Sequence, residues 1–132
     1  MSSVCDKNRK IIITLGSNVD EYRNISDAKT LLDEFFHDLR YTSFIRTKPI
    51  GFATSWFFNG MAYGKTTYDA DKTIAILKAI ELRCGSLKED KLKGIVRLDL
   101  DLMKYGDTIY HKEDWNRTYI QQLFEELNLK EK

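Results

Sequence analysis

The chain has 132 residues, 42% of them hydrophobic, with one proline: enough for a single core and too little for two. Its 21 basic and 20 acidic residues leave a net charge of +1, which excludes a global field drawing the protein to nucleic acid or to an acidic membrane. No apolar run reaches the roughly 20 residues of a membrane span, and two cysteines, Cys5 and Cys84, with neither a CxxC pair nor a secretory leader, point to a reducing cytoplasm.

Residues 1–8 (MSSVCDKN) are polar and read as a disordered N-terminus, leaving 9–132 as one domain. The apolar run Ile11 to Leu15 suits a buried strand, stopped by Gly16, Ser17 and Asn18. From Val19 to Leu39 the period becomes helical, with Ile25, Ala28, Leu32, Phe35 and Leu39 recurring at steps of three and four. Tyr41 to Thr47 returns to β-branched and aromatic residues, KPIGFATS reads as a loop, and Trp56 to Tyr68 reads as an aromatic-rich strand. A second helix runs from Ala70 to Cys84 on the stripe Ile76, Leu77, Ile80 and Cys84, with Gly85 as its stop. SLKEDKLKG lacks hydrophobic periodicity and reads as a mobile surface loop. RLDLDLM (Arg97 to Met103) then forms a strand, KYGD a turn and TIYH a short strand. A last helix, Asp114 to Leu127, carries Tyr119, Ile120, Leu123 and Leu127 on one side. The order β-α-β-β-α-β plus a terminal helix fits an α+β, ferredoxin-like sandwich. Helices would cover one face of its antiparallel sheet and leave the other free for a site.

RLDLDLM alternates strictly. Its leucines share one face, and Arg97, Asp99, Asp101 and Met103 share the other. Residues two apart on a strand lie roughly 6.5–7 Å apart on one side, which lets two carboxylates converge on Mg²⁺ ions that bridge a polyphosphate. The same pattern equally marks a solvated face paired with lysines.

Six segments decide between these readings: ITLGSN, RTKPIG, FFN, IELRCG, GIVRLDLDLMKYG and HKEDWNRTY, in this order between Lys10 and Leu127. In them the chain resembles the 6-hydroxymethyl-7,8-dihydropterin pyrophosphokinases, folate-pathway enzymes that move a pyrophosphoryl group from ATP to a pterin alcohol and release AMP. The resemblance implies that Asp99 and Asp101 hold two Mg²⁺ ions. It implies a pterin pocket of Thr47, Ile50, Phe57, Asn59 and Tyr119, the last standing where phenylalanine is usual. It places Glu81, Lys88, Arg97, Leu102, His111 and Arg117 about the nucleotide, with Lys88 and Arg117 joining the aspartates in the catalytic set. The implied partners are ATP and the pterin, with no nucleic acid or membrane, for a cytoplasmic monomer.

Departures from the family pattern cluster on the nucleotide side. In SLKEDKLKG, Lys88 stands for one customary arginine, Ser86 for another, and Lys93 for a tryptophan; lysine keeps the charge but not the planar fork. The family's G-P-R arrives as GIVR, so Arg97 comes one place late and falls, by alternation, on the aspartates' face. The stretch from Met103 to His111 is short. The alternative reading is therefore a weakened or inactive relative that serves as a pterin- or nucleotide-binding module.

Overall fold

The computed structural model describes residues 4–48 and 55–131, and the side chains of 8–48 and 55–128. The elements are β1 (Val4–Ser17), α1 (Glu21–Phe35), β2 (Arg40–Tyr41), β3 (Ile45–Thr47), β4 (Phe57–Tyr68), α2 (Ala70–Arg83), α3 (Lys88–Leu92), β5 (Asp99–Tyr105), β6 (Thr108–Ile109) and α4 (Thr118–Glu131). The sheet runs β2-β4-β1-β5-β6, antiparallel throughout, with β3 also paired to β4. With β2 and β3 taken as one broken strand, this is the expected ferredoxin-like order. Among the described residues no helix is long and apolar enough to cross a membrane.

β1 lies at the centre, and its alternation sorts the core into two layers. Ile11, Ile13 and Leu15 face α1 and α2, where they pack with Ile25, Ala28, Leu32, Ile76, Leu77, Ile80, Leu98, Leu100 and Leu102. Ile12 faces the other way, in a smaller cluster with Met61, Tyr63, Met103, Ile120, Leu123 and Leu127. The second face is therefore not wholly free. The apolar side of α4 covers one half of it, and the uncovered half holds Gly16, Asn59, Asp99 and Asp101.

Several boundaries differ from the sequence reading for identifiable reasons. β1 reaches back to Val4, so residues 4–8, expected to be disordered, continue the strand beside Tyr68; residues 1–3 lie outside the described part. α1 ends four residues early because Phe36 turns extended and buries its ring edge-on against Tyr68. The strand expected over Tyr41 to Thr47 is interrupted at Thr42, whose hydroxyl accepts the Met61 amide at 2.9 Å in place of a ladder carbonyl. Beyond it, Phe44 lies across Gly60, where any Cβ would come within 2.7 Å of the ring. The terminal helix starts at Thr118, preceded by a 3₁₀ turn at Lys112–Asp114.

The loop expected at SLKEDKLKG contains α3. Leu87 and Leu92 stay exposed, which is why no apolar period marks the segment, and two of its charges pair: Asp90 with Arg97 at 3.5 Å, and Lys91 with Asp99 at 3.7 Å. Among the described residues β5 meets β6 only at Lys104 and Tyr105, and its outer edge at Leu100 has no strand partner. Two side chains of α2 supply what a strand would. Glu81 accepts the Leu100 amide at 2.7 Å, and Lys78 donates to the Leu100 carbonyl at 3.0 Å. A strand edge is thus capped by an i,i+3 ion pair, itself closed at 3.0 Å. Replacing Glu81 with Ala orphans the Leu100 N–H and is expected to cost about 1–3 kcal/mol. Hydrogen exchange should accelerate first at the Leu100 amide, before any change in β1; uniform loss of protection across the sheet would contradict the edge-cap role.

Candidate active site

The uncovered half of the second face is a cavity of about 190 Å³, lined by Thr14, Gly16, Thr47, Phe57, Asn59, Asp99, Asp101, Met103, Asp114, Arg117, Tyr119 and Ile120. Its floor is β1 between β4 and β5, where Gly16 pairs with both Asn59 and Asp99, and Thr14 with both Met61 and Asp101. Paired residues of antiparallel strands project to the same side, so the register alone brings Asn59, Asp99 and Asp101 together. β3 adds Thr47 opposite Phe57, and the start of α4 adds Arg117 and Tyr119 as a wall. Phe58, one residue from Phe57, takes the other face, where it packs on Phe44 and Tyr22.

Within the cavity Asn59 Nδ2 donates to Thr47 Oγ1 at 2.6 Å. Asn59 Oδ1 lies over Gly16, so close that a Cβ there would meet it at 2.7 Å. The missing side chain of Gly16 is what lets the carboxamide lie flat on the floor. Tyr119 is half-buried, and burial holds its phenol above the ordinary value.

Asp99 and Asp101 form the charged end. Burial, the adjacent Asp99 charge and a hydrogen bond with Asp99 push Asp101 up to about 6, against the pull of Lys78 and His111. Lys78 Nζ stands 3.5 Å from Asp101 Oδ1, and His111 Nε2 stands 3.7 Å from the same oxygen. Lys91 reaches Asp99 at 3.7 Å and Glu81 at 3.9 Å. Two adjacent hard carboxylates, one of them biased toward its proton, form a donor set deficient in positive charge, and this fits Mg²⁺. Asp99 and Asp101 are the residues that would hold it. His111, Glu113 and Asp114 also bring ligand atoms within 4.8 Å of one another, but Asp114 is committed to Arg117 at 2.8 Å.

Of the residues expected about a site, Thr47, Phe57, Asn59, Asp99, Asp101, Arg117 and Tyr119 share this cavity, and His111 touches its rim through Asp101. Ile50 lies outside the described residues. Glu81 is buried, with 6% of its surface exposed, and serves the edge of β5 and the two lysines rather than a solvated rim. Lys88 is exposed at the start of α3 and does not line the cavity; the α3 lysine that reaches the carboxylates is Lys91. The Leu102 side chain points into the helix-packed core, leaving only its backbone near the site. Arg97 precedes the strand at a bend, so alternation does not govern it, and its guanidinium turns toward Asp90 on α3.

The sequence reading passed over Thr14, Gly16, Lys78 and Asp114. Gly16 belongs to a GSN turn that could suggest phosphate binding. Instead Asn18 straps the turn to the approach to β5, donating to the Gly94 carbonyl at 2.8 Å and accepting the Val96 amide at 2.7 Å. Lys78 carries a readable signal, since it precedes Glu81 by three residues on a helix, but the strand it reaches lies 22 residues further on.

The family profile described as 7,8-dihydro-6-hydroxymethylpterin-pyrophosphokinase (HPPK) matches residues 12–129. The chain is also 33% identical, over 113 aligned residues and 79% of its length, to a "Folate synthesis bifunctional protein" of Chlamydia caviae. It spans about a quarter (25%) of that relative. With nearly all of the domain inside the profile and LDLD at the head of the cavity's charged strand, the chain belongs to the 7,8-dihydro-6-hydroxymethylpterin-pyrophosphokinase family.

Proposed function

We propose that residues 9–132 act as one domain that transfers the pyrophosphoryl group of ATP to 6-hydroxymethyl-7,8-dihydropterin and releases AMP, with two Mg²⁺ ions on Asp99 and Asp101. The observation that carries this reading is the meeting of a carboxamide, two aromatic side chains and a carboxylate pair in one small cavity. At about 190 Å³ it is smaller than the roughly 300–1,000 Å³ of pockets for drug-sized ligands, and it suits a flat bicyclic ring with its phosphate acceptor turned toward β5.

Asn59 offers donor and acceptor to the polar edge of the pterin, while Phe57 and Tyr119 supply aromatic walls. Arg117 places a planar cation at the mouth, suited to phosphate oxygens. When bound, Mg²⁺ neutralises the polyphosphate and helps to align it. The pterin hydroxymethyl oxygen forms its bond to the β-phosphorus as the bond from that phosphorus to the AMP oxygen breaks. Asp99 and Asp101 serve by position and charge, and the transfer needs no strong general base. On this reading the domain is a cytoplasmic monomer acting on small molecules alone, and the net charge of +1 gives it no global field for nucleic acid.

Asp99→Asn or Asp101→Asn should reduce AMP formation by at least about a hundredfold and leave nucleotide-free pterin binding within about twofold, checked by coupled assay and by pterin fluorescence. Pterin binding without AMP release by the unaltered protein, across a wide range of ATP and Mg²⁺, would instead make the domain a binding module.

Gly16→Ala tests the pterin half separately. The added methyl meets the movable end of Asn59 rather than backbone, so the protein should fold normally while pterin affinity drops on the order of tenfold, the loss of one or two well-placed hydrogen bonds. Unchanged affinity would remove Asn59 from the pterin site.

The raised Asp101 sets a pH dependence. Because its value of about 6 in the folded protein exceeds the ordinary 3.8, the folded state holds an extra proton between these values. The ligand-free protein should therefore lose stability as pH rises through that window. Cation binding runs the opposite way, since it requires the ionised pair. Thermal melts should show a rise in Tm with Mg²⁺ at about pH 7.5 that disappears near pH 5; an equal rise at both would place the cation elsewhere.

A further inference from the structure

Lys78 has no place in the reaction as described, yet its ammonium is held at three points. Nζ lies 3.0 Å from Glu81 Oε2, 3.0 Å from the Leu100 carbonyl and 3.5 Å from Asp101 Oδ1. The first two contacts belong to the buried acid and to the strand that carries the aspartates, so the charge is fixed to the frame of β5. Lys91, in contrast, stands 3.7 and 3.9 Å from its acidic partners, beyond hydrogen-bond length, on a helix of only five residues. Around the pair, three carboxylates (Glu81, Asp99 and Asp101) thus face two ammonium groups, and only one of the two is anchored.

We propose that Lys78 is an internal counter-cation of the aspartate pair: a positioning residue that shares Asp101 with an incoming divalent cation and weakens binding of that cation to the nucleotide-free protein. The inference rests on the reading that Asp99 and Asp101 hold divalent cations. Its physical basis is Coulombic. A cation arriving at Asp101 meets a fixed positive charge that cannot swing away without breaking the cap on Leu100. The same charge becomes favourable once a polyphosphate brings its own negative oxygens to the rim. Lys78 therefore discriminates against the bare cation and in favour of the cation–nucleotide complex, so its removal should move the two affinities in opposite directions. A lysine that merely supported β5 would, when removed, weaken both.

The test is calorimetric titration of the full chain at about pH 8, first with Mn²⁺ alone and then with ATP in the presence of Mn²⁺. It compares the unaltered protein with Lys78→Gln, Lys78→Arg and Asp101→Asn. Lys78→Gln removes the charge and retains an N–H donor one bond shorter in reach. It is expected to bind Mn²⁺ about three- to tenfold tighter and ATP about three- to tenfold more weakly, with Lys78→Arg within about twofold of the unaltered protein in both. Asp101-dependent Mn²⁺ binding that is unchanged or weaker in Lys78→Gln overturns the inference and leaves the cation site standing. Failure of Lys78→Gln to fold where Lys78→Arg folds assigns the residue to support of β5 and also overturns it. Absence of Asp101-dependent Mn²⁺ binding in both the unaltered protein and Lys78→Gln overturns the cation reading itself, and this inference with it.

Discussion

The structure depends on β5 being two things at once. One side of this strand and its approach carries Leu98, Leu100 and Leu102, each at most 3% exposed among α1, α2 and β1. The other side carries two carboxylates into a recess. Keeping Asp101 ionised at neutral pH costs on the order of 3 kcal/mol relative to an exposed aspartate, by its elevated value of about 6. Burial of each leucine returns roughly 1.5–3 kcal/mol, so the three together outweigh the electrostatic penalty of bringing two carboxylates into one recess. A slip of one residue would place aspartates in the core and leucines in the recess. The site is strained electrostatically because the core behind it is not negotiable.

That arrangement leaves an unpaired strand edge next to an unbalanced charge, and α2 answers both with one pair of side chains. Glu81 takes the Leu100 amide and Lys78 the Leu100 carbonyl, so the strand cannot shift along its axis without breaking two hydrogen bonds. The same lysine reaches Asp101. Edge protection and charge compensation are elsewhere separate devices; here they are coupled through the geometry of a single helical turn. α3 adds a looser second layer, in which Lys91 leans on Asp99 and Asp90 holds Arg97.

Much of this was legible in the chain because it depends on period. The alternation of RLDLDLM separated leucines from aspartates, that of FFN sent Phe57 and Phe58 to opposite faces, and the three-four steps located α1, α2 and α4. What escaped had no period to show. Arg97 was assigned to the aspartates' face by extending a strand that begins two residues later, at Asp99. α3 was invisible because Leu92 within it and Leu87 before it are exposed and the helix is five residues long. Glu81 was placed about the nucleotide by resemblance, since nothing local says that a strand edge 19 residues on will need its carboxylate. Leu102 could be assigned to the core by alternation, and its expected place at the nucleotide came from resemblance alone.

The two halves of the recess therefore differ in kind. The half proposed for the pterin is made of neutral groups placed by sheet register and by the absent side chain of Gly16, so its shape follows from the fold itself. The half proposed for the nucleotide is made of charges on β5, α2, α3 and the turn after β6, and the α2 pair ties part of their balance to the edge of β5. Lys78 and Lys91 spend their charge on the protein's own carboxylates. On the proposed reading, variation at Lys91 or His111 would change how tightly phosphate and cation are held, while the pocket for the ring stays as the strands set it. A chain can thus keep the recognisable strand and cavity of its family and still differ from its relatives in nucleotide affinity, because the two properties rest on separate sets of contacts.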